Sequence, residues 1–134
     1  MFEEPIIQSR GFHNVGEPGS RTGFQVCIRT PYYRGTWLSL IEGADVTVDG
    51  ERHPRSEVTW TVDGETYTVS ALAAASDRRW PYEEPALLTV PRPGGLAPGV
   101  HELEVDVIYR MSYIPVEMQP TTSIARRSLT LVSA

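Results

Sequence analysis

The chain has 134 residues, with 12 basic and 17 acidic side chains, a formal net charge of -5 and a single cysteine. This length predicts one domain over residues 1–134. An acidic chain without a basic cluster is not expected to bind nucleic acid, because neutralising phosphates requires a concentrated basic face. One cysteine excludes both an internal disulfide and a cysteine-rich zinc module.

The first ten residues lack the pattern of a signal peptide. Glu3 and Glu4 stand where such a peptide carries positive charge, and no later stretch approaches the ~20 apolar residues of a membrane span. We therefore expect a soluble, cytoplasmic protein that does not bind membranes.

The predicted elements begin with an edge strand at residues 5–9. Proline and glycine, 11 of each, are spread through the chain and divide it into segments of strand length, which is typical of an all-β domain. The clearest early strand is 24–29, where Phe24, Val26 and Ile28 alternate with more polar neighbours. This alternation predicts a strand with one apolar face.

Two Asp-Gly pairs, Asp49-Gly50 and Asp63-Gly64, predict tight hairpin turns of type I′, because both residues tolerate positive φ. The first pair ends a strand that contains Val46 and Val48. The second joins segment 58–62 to segment 66–69. Residues 70–76 have helix-forming composition and predict one or two helical turns.

Three further strands are predicted at 87–90, 102–109 and 128–132. In the second of these, three carboxylates share the face opposite the apolar one, so we expect that face to be solvated. The segment 113–126 has no period and predicts a long loop. The predicted fold class is all-β: a single antiparallel β-sandwich, immunoglobulin-like or barrel-like, with eight or nine strands and one short helical turn.

Isolated reactive side chains give weak signals. His13, His53 and His101 lie about forty residues apart without a second ligand at metal spacing, which favours ordinary turn or surface histidines, although their convergence in space stays open. Cys27 has no nucleophile signature around it and is interpreted as a filler. Glu83-Glu84 lies between prolines and predicts a solvated turn instead of a catalytic pair.

The densest constellation is segment 29–37, which combines two arginines, three aromatic rings and two turn-forming residues. Aromatic and guanidinium groups together are suited to a protein interface or to stacking on a sugar or flavonoid ring. A loop whose aromatic residues cap the core is an equally good interpretation. The sequence shows no phosphate loop, nucleophile elbow or catalytic triad.

At this segment the chain resembles the small β subunit of bacterial C-glycoside deglycosidases. The resemblance covers nearly the whole chain, in the same order. The matching segments are Arg-Gly-Phe at 10–12, Pro-Tyr-Tyr-Arg-Gly at 31–35, Leu-Ser-Leu-Ile-Glu-Gly at 38–43, Val-Thr-Val-Asp-Gly-Glu at 46–51, Thr-Tyr-Thr at 66–68, Pro-Gly-Gly-Leu at 93–96, Pro-Gly at 98–99, His-Glu at 101–102 and Ser-Tyr-Ile-Pro at 112–115.

The resemblance implies an enzyme complex. In that family a larger α subunit, similar to TIM barrels of the xylose-isomerase type, holds a divalent metal, usually manganese, and the catalytic base. The β subunit is a small β-sandwich that packs on it and binds no cofactor itself. The substrate is a C-glycosylated flavonoid or related aromatic whose sugar has been oxidised to the 3-keto form. We accordingly expect a hetero-oligomer, with no catalytic or metal-binding residue in this chain.

We expect the residues of this chain that line the α/β interface or the mouth of its pocket to come from two segments. They are Tyr32, Tyr33, Arg34, Trp37, Tyr113, Ile114 and Pro115. The reason is the aromatic and arginine enrichment that marks interfaces. Two other hypotheses stay open: a free-standing immunoglobulin-like domain that binds carbohydrate or another protein, and an independent enzyme that uses Cys27 or a histidine cluster.

Overall fold

The computed structural model describes residues 6–31, 35–110 and 120–132. Strands dominate this part of the chain, which also contains one α-helix and two short 3-10 helices, Leu38–Leu40 and Arg55–Glu57. In chain order the elements are β1 His13–Glu17, β2 Ser20–Ile28, β3 Thr36–Trp37, β4 Ile41–Val48, β5 Glu51–His53, β6 Thr59–Val62, β7 Glu65–Tyr67, α1 Val69–Ala74, β8 Arg79–Trp80, β9 Ala86–Pro91, β10 Gly99–Tyr109 and β11 Thr121–Leu131.

The strands form two main sheets, which confirms the predicted antiparallel β-sandwich. One sheet has the order β1-β2-β9-β6-β7, the other has the order β11-β10-β4-β5, and β3 and β8 form a separate two-stranded sheet. Every strand pair in the described part is antiparallel, and neither main sheet closes into a barrel. The apolar faces of both main sheets contribute to one hydrophobic core, which is how a sandwich buries its two layers.

Two fully buried tryptophans connect the small sheet to the core. Trp60 on β6 and Trp80 on β8 meet edge to face, with ring centroids 5.3 Å apart. The Trp80 indole also donates a hydrogen bond from Nε1 to the Glu84 carbonyl at 2.7 Å. Replacing a buried tryptophan by alanine typically costs about 3–5 kcal/mol of stability. The burial of Trp80 therefore holds β8 and its partner β3 in place.

Both predicted Asp-Gly turns are confirmed by their backbone angles. Asp49 and Gly50 have φ values of 50° and 86°, and Asp63 and Gly64 have values of 51° and 79°. Positive φ at both central residues is what a type I′ turn requires. The predicted helical turns are also present as α1, whose first turn is capped by the Thr68 hydroxyl accepting a hydrogen bond from the Ala71 N–H at 3.2 Å.

The prediction of a loop through residue 126 is wrong, because β11 begins at Thr121. β11 pairs with β10 along its whole length, from Gly99↔Leu131 to Tyr109↔Thr121. It is an edge strand whose first eight side chains alternate between half-buried and exposed positions, so polar residues occupy both faces. This strand forms because its backbone pairs with β10. Its sequence has no alternation of apolar and polar residues that would predict a strand.

Two other differences concern short elements. The first predicted strand spans 5–9; residue 5 lies outside the described residues, and within 6–9 only Ile7 forms an isolated bridge, to Ile28. The described residues contain eleven strands, more than the eight or nine expected, because two- and three-residue strands such as β3 and β8 are too short to show a period. None of the helices in the described ranges is long and apolar enough to cross a membrane.

Candidate functional site

The candidate site is one end of the sandwich, which we call the Trp37 end. It comprises Trp37, the 3-10 helix Leu38–Leu40, and the residues around the start of β4 and the finish of β10. Ile41 pairs with Tyr109, and the Arg110 N–H donates to the Leu40 carbonyl at 2.7 Å. This end therefore brings together chain segments that lie about seventy residues apart.

Trp37 is presented on the surface by the alternation of the small sheet. Thr36 pairs with Trp80, and both side chains point inward. Trp37 pairs with Arg79, and both side chains point outward. The Arg79 guanidinium carbon lies 5.0 Å from the centroid of the Trp37 ring, and Trp37 is 41% exposed. Such a cation-π pair is worth about 0.5–1 kcal/mol and presents a flat, preorganised surface to solvent.

A second arginine-aromatic pair marks the end of β2. The Arg29 guanidinium carbon lies 5.3 Å from the centroid of the Tyr82 ring, and its Nη1 donates to the Tyr82 carbonyl at 3.3 Å. Arg29 Nε also donates to Gln8 Oε1 at 3.4 Å. Arg29, at the start of the dense constellation, therefore ties β2 to the turn after β8 instead of reaching freely into solvent.

Trp37 is the only predicted site residue that falls within the described ranges, and it is exposed as the interface hypothesis requires. The other six, Tyr32, Tyr33, Arg34, Tyr113, Ile114 and Pro115, lie outside the described residues. Two described residues adjoin these segments: Gly35 directly precedes β3, and Arg110 directly follows β10 and hydrogen-bonds Leu40. The interface assignment of the seven residues stays a prediction.

Two of the three histidines are buried and differ from the predicted surface positions. The His101 ring lies 2.6 Å from both Asp49 Oδ2, through Nδ1, and the Ala97 carbonyl, through Nε2. Burial disfavours the charged ring, but these two acceptors outweigh burial and raise the pKa of His101. His53 places its Nε2 2.7 Å from Glu51 Oε2, without hydrogen-bond geometry, and packs edge to face on Phe24.

The histidines do not form a metal centre with one another. His13 is exposed on β1, as predicted. Within the ranges that the structure describes, no three side chains of His, Cys, Asp and Glu come together as a group that could hold a metal ion. His101 instead binds the Asp49 side chain that follows β4, a structural role for which the only sequence signal is the acidic turn itself. His53 lies beside Glu51.

The remaining candidates have structural roles. Cys27 is buried, and this burial raises the pKa of its thiol in spite of the charges of Arg10 and Arg29. A protonated, buried thiol supports the filler interpretation over a nucleophile. Glu84 belongs to a turn: its N–H donates to the Pro81 carbonyl at 3.1 Å, which supports the predicted turn at Glu83-Glu84.

A carboxylate pair that no sequence pattern predicts lies on the outer face of the four-stranded sheet. Asp45 on β4 and Asp106 on β10 lie directly opposite each other. Asp45 is buried and accepts hydrogen bonds from Arg52 Nη2 and the Arg55 N–H, both at 2.7 Å. Burial, Glu104 and Asp45 together raise the pKa of Asp106. The face predicted to be solvated is therefore exposed at Glu102 but partly buried at Asp106.

Comparison with known proteins agrees with the resemblance found in the sequence. The family model for the C-glycoside deglycosidase beta subunit matches residues 2–113. A protein of that name from Eubacterium cellulosolvens is 40% identical over 119 residues, covering 88% of this chain and 81% of the relative.

Two more distant relatives are also described as beta subunits. A 3'-dehydrocarminate deglycosidase beta subunit from a Microbacterium species is 33% identical over 121 residues, covering 90% of this chain and 86% of the relative. A C-glycoside deglycosidase beta subunit from Arthrobacter globiformis is 24% identical over 105 residues, covering 78% of this chain and 79% of the relative. The chain therefore belongs to the C-glycoside deglycosidase beta subunit family.

Proposed function

We propose that this chain is the small β subunit of a hetero-oligomeric C-glycoside deglycosidase. The complex is a lyase that cleaves the C–C bond between a 3-oxo sugar and an aromatic, flavonoid-type aglycone. The observation that carries the proposal is the family match over residues 2–113. The exposed Trp37–Arg79 stack supports it, because it is the kind of surface that a subunit presents to a partner.

The chemistry of the substrate explains why an ordinary glycosidase site would not suffice. An aryl C-glycoside has no glycosidic oxygen that an acid can protonate, so the two-carboxylate mechanism does not apply. A ketone at sugar C3 acidifies the proton at C2. A base removes that proton, the C1–aryl bond breaks as the C1=C2 double bond forms, and the departing aromatic carbon takes up a proton. The reaction is therefore an elimination that consumes no water.

The base and a divalent metal, manganese in this proposal, belong to the partner α subunit, a TIM barrel similar to xylose isomerase. When bound there, the metal stabilises the negative charge that develops on the ketone oxygen. This chain supplies no catalytic residue. It supports the fold of the complex, its assembly and the shape of the pocket, in the cytoplasm.

The contact with the α subunit is assigned to the Trp37 end. Trp37 and Arg79 form a rigid aromatic and guanidinium surface whose position is fixed by the buried Trp80 behind it. Tyr32, Tyr33 and Arg34 precede this surface in the chain, and Tyr113, Ile114 and Pro115 belong to the segment that follows Arg110. Tyrosine, tryptophan and arginine are the residue types that dominate binding energy at interfaces.

The test is co-expression of this chain with an isomerase-like α subunit, followed by assay of aglycone release from a 3-oxo-C-glucoside. We expect release by the complex, loss of release with a chelator, and little release by either chain by itself. Full activity of the α subunit without this chain would contradict the proposal. A chain that stays a stable monomer, binds carbohydrate and ignores the α subunit would instead support a free-standing binding domain.

A further inference from the structure

A groove at the Trp37 end contains Arg55, whose guanidinium forms no ion pair with the described residues. The groove has a volume of about 490 Å³ and lies between α1, the 3-10 helix Leu38–Leu40, the start of β4 and the end of β10. Its apolar wall includes Leu40, Val69 and Ala73, and its charged groups are Glu42, Arg55 and Arg110. Two guanidinium groups and one carboxylate give this groove a net positive charge on a chain whose net charge is -5.

Glu42, which lines the groove, and Asp45, which accepts from the Arg55 N–H, are both paired with other arginines. Glu42 Oε2 accepts a hydrogen bond from Arg110 Nε at 2.6 Å, which leaves Arg110 neutralised within the groove. Asp45, on the same strand as Glu42, accepts a hydrogen bond from Arg52 Nη2 at 2.7 Å. In the part of the chain that the structure describes, no carboxylate forms an ion pair with the Arg55 guanidinium.

The backbone presents Arg55 in a fixed position. The Arg55 N–H donates to Asp45 Oδ1 at 2.7 Å at the first residue of the second 3-10 helix. The stem of Arg55 lies on Gly43, where an added Cβ would stand 2.9 Å from the Arg55 Cβ and 3.2 Å from its Cδ. Gly43 has a φ of +128°, a conformation that other residues rarely adopt. A glycine at this position therefore allows Arg55 to lie across β4.

We infer that this groove receives an acidic side chain, aspartate or glutamate, of the partner subunit, an inference that rests on the proposed function. Arg55 as a residue is half-buried, and its guanidinium offers donors in a planar fork that matches a carboxylate. The apolar wall gives the stem of the acidic residue and its neighbours a surface to pack on. Ser39 and Leu40 of the groove wall follow Trp37 by two and three residues in the chain, so the groove belongs to the same end of the sandwich.

The experiment measures the affinity of the α subunit for the wild-type chain and for three variants at two NaCl concentrations. Arg55→Met keeps the apolar stem on Gly43 and removes the charge, whereas Arg55→Glu reverses the charge. Arg10→Met is the matched control, because Arg10 is an exposed arginine that forms no ion pair with the described residues and lines a different groove. Melting temperatures and circular dichroism establish that every variant is folded.

We expect Arg55→Met to weaken association at least about 30-fold and Arg55→Glu to weaken it further, each with a shallower salt dependence than the wild-type chain. Arg10→Met should match the wild-type chain. If the wild-type chain binds and Arg55→Met binds equally well with the same salt dependence, the inference is overturned and the proposed function stands. If the wild-type chain does not bind the α subunit at all, both are overturned.

Discussion

The two ends of strands β4 and β10 differ in how they use polar side chains. At the end opposite Trp37, which we call the turn end, the polar groups of Asn14, Asp49, Glu51, Arg92 and His101 have partners within the chain. His101 joins Asp49 to the Ala97 carbonyl, and Asp49 Oδ1 also accepts from the Glu102 N–H at 2.9 Å. Arg92 Nε donates to Glu51 Oε2 at 2.9 Å.

The Trp37 end has the opposite character. Trp37 is exposed although it is among the largest apolar residues, and the Arg55 guanidinium forms no ion pair with the described residues. Asn14 and His101 at the turn end are buried. Buried polar groups with partners stabilise a fold, whereas exposed aromatic rings and guanidinium groups without an ion pair add little to folding and much to association. The comparison predicts that substitutions at the turn end mainly lower the stability of the sandwich, and that substitutions at the Trp37 end mainly lower affinity for the proposed partner.

The largest expected effect on stability is at the turn end, where the Asn14 side chain hydrogen-bonds both backbone polar groups of Leu96. The Asn14 side chain donates from Nδ2 to the Leu96 carbonyl at 2.9 Å and accepts from the Leu96 N–H at 2.8 Å, and it is buried. Asn14→Ala leaves both backbone groups of Leu96 without these partners, so we expect a loss of about 2–3 kcal/mol in the free energy of unfolding. Urea denaturation measures it.

Gln25→Ala is the matched control for Asn14→Ala. Gln25 Nε2 donates to the Thr89 hydroxyl at 2.9 Å on a half-buried surface, so its loss should cost less than about 1 kcal/mol. Equal losses of unfolding free energy in the two variants would contradict the expectation that a buried polar contact stabilises more than a half-buried one.

Trp37 should show the reverse profile, with a large effect on binding and a small one on folding. Trp37→Ala removes the exposed stack on Arg79, so we expect less than about 1 kcal/mol of destabilisation. Affinity for the α subunit should fall about 30-fold, the scale of a tryptophan hot spot. Titration calorimetry with the α subunit and urea denaturation measure the two effects. Ile124→Ala, at a residue 56% exposed on β11, is the control and should alter neither quantity.

Gly43→Ala should affect both folding and binding, which sharpens the comparison. The substitution places a Cβ 2.9 Å from the Arg55 stem and strains a backbone with φ of +128°. We expect a loss of about 1–2 kcal/mol in unfolding free energy and a weaker affinity for the α subunit. Gly19→Ala has positive φ but open space around it, so it should reproduce the strain without the loss of affinity. If both variants bind equally well, the position of Arg55 does not matter.

The smallest expected effect is the pH dependence of the turn end. Burial lowers the pKa of His101, but the Ala97 carbonyl and Asp49 carboxylate raise it above its ordinary 6.5 in the folded chain. The Glu102 N–H and His101 lower the pKa of Asp49 below 3.8. The His101 contribution is therefore complete below pH ~6.5 and is lost as the pH rises through the folded pKa, whereas the Asp49 contribution is lost as the pH falls below ~4.

Urea midpoints between pH 4 and pH 8 measure this dependence. We expect the midpoint of the wild-type chain to fall as the pH rises above 6.5. His101→Gln should be less stable and should lack this decline. A wild-type midpoint that rises over the same range would contradict the assignment of a raised pKa to His101.

Much of the fold is predictable because short segments carry it. The Asp-Gly pairs at 49–50 and 63–64 specify their turns through local backbone preference, and the alternation of Phe24, Val26 and Ile28 specifies a strand with a buried face. β11 is not predictable in the same way, because its polar residues at 121–126 become a strand only through their pairing with β10. The candidate site was predictable only in part, since Trp37 is exposed as expected but Arg55 carries no local signal.

The sequence by itself determined the all-β class, the two hairpin turns and the family, because each depends on residue types at short spacings. Only the tertiary structure decided that Trp80 is buried and Trp37 is exposed. It also decided that Arg52 and Arg110 form ion pairs, whereas Arg55 forms none with the described residues. The physical reason is that burial and charge pairing depend on neighbours distant in the chain. Arg110 and Glu42, for example, are 68 residues apart and meet only because β10 and β4 pair.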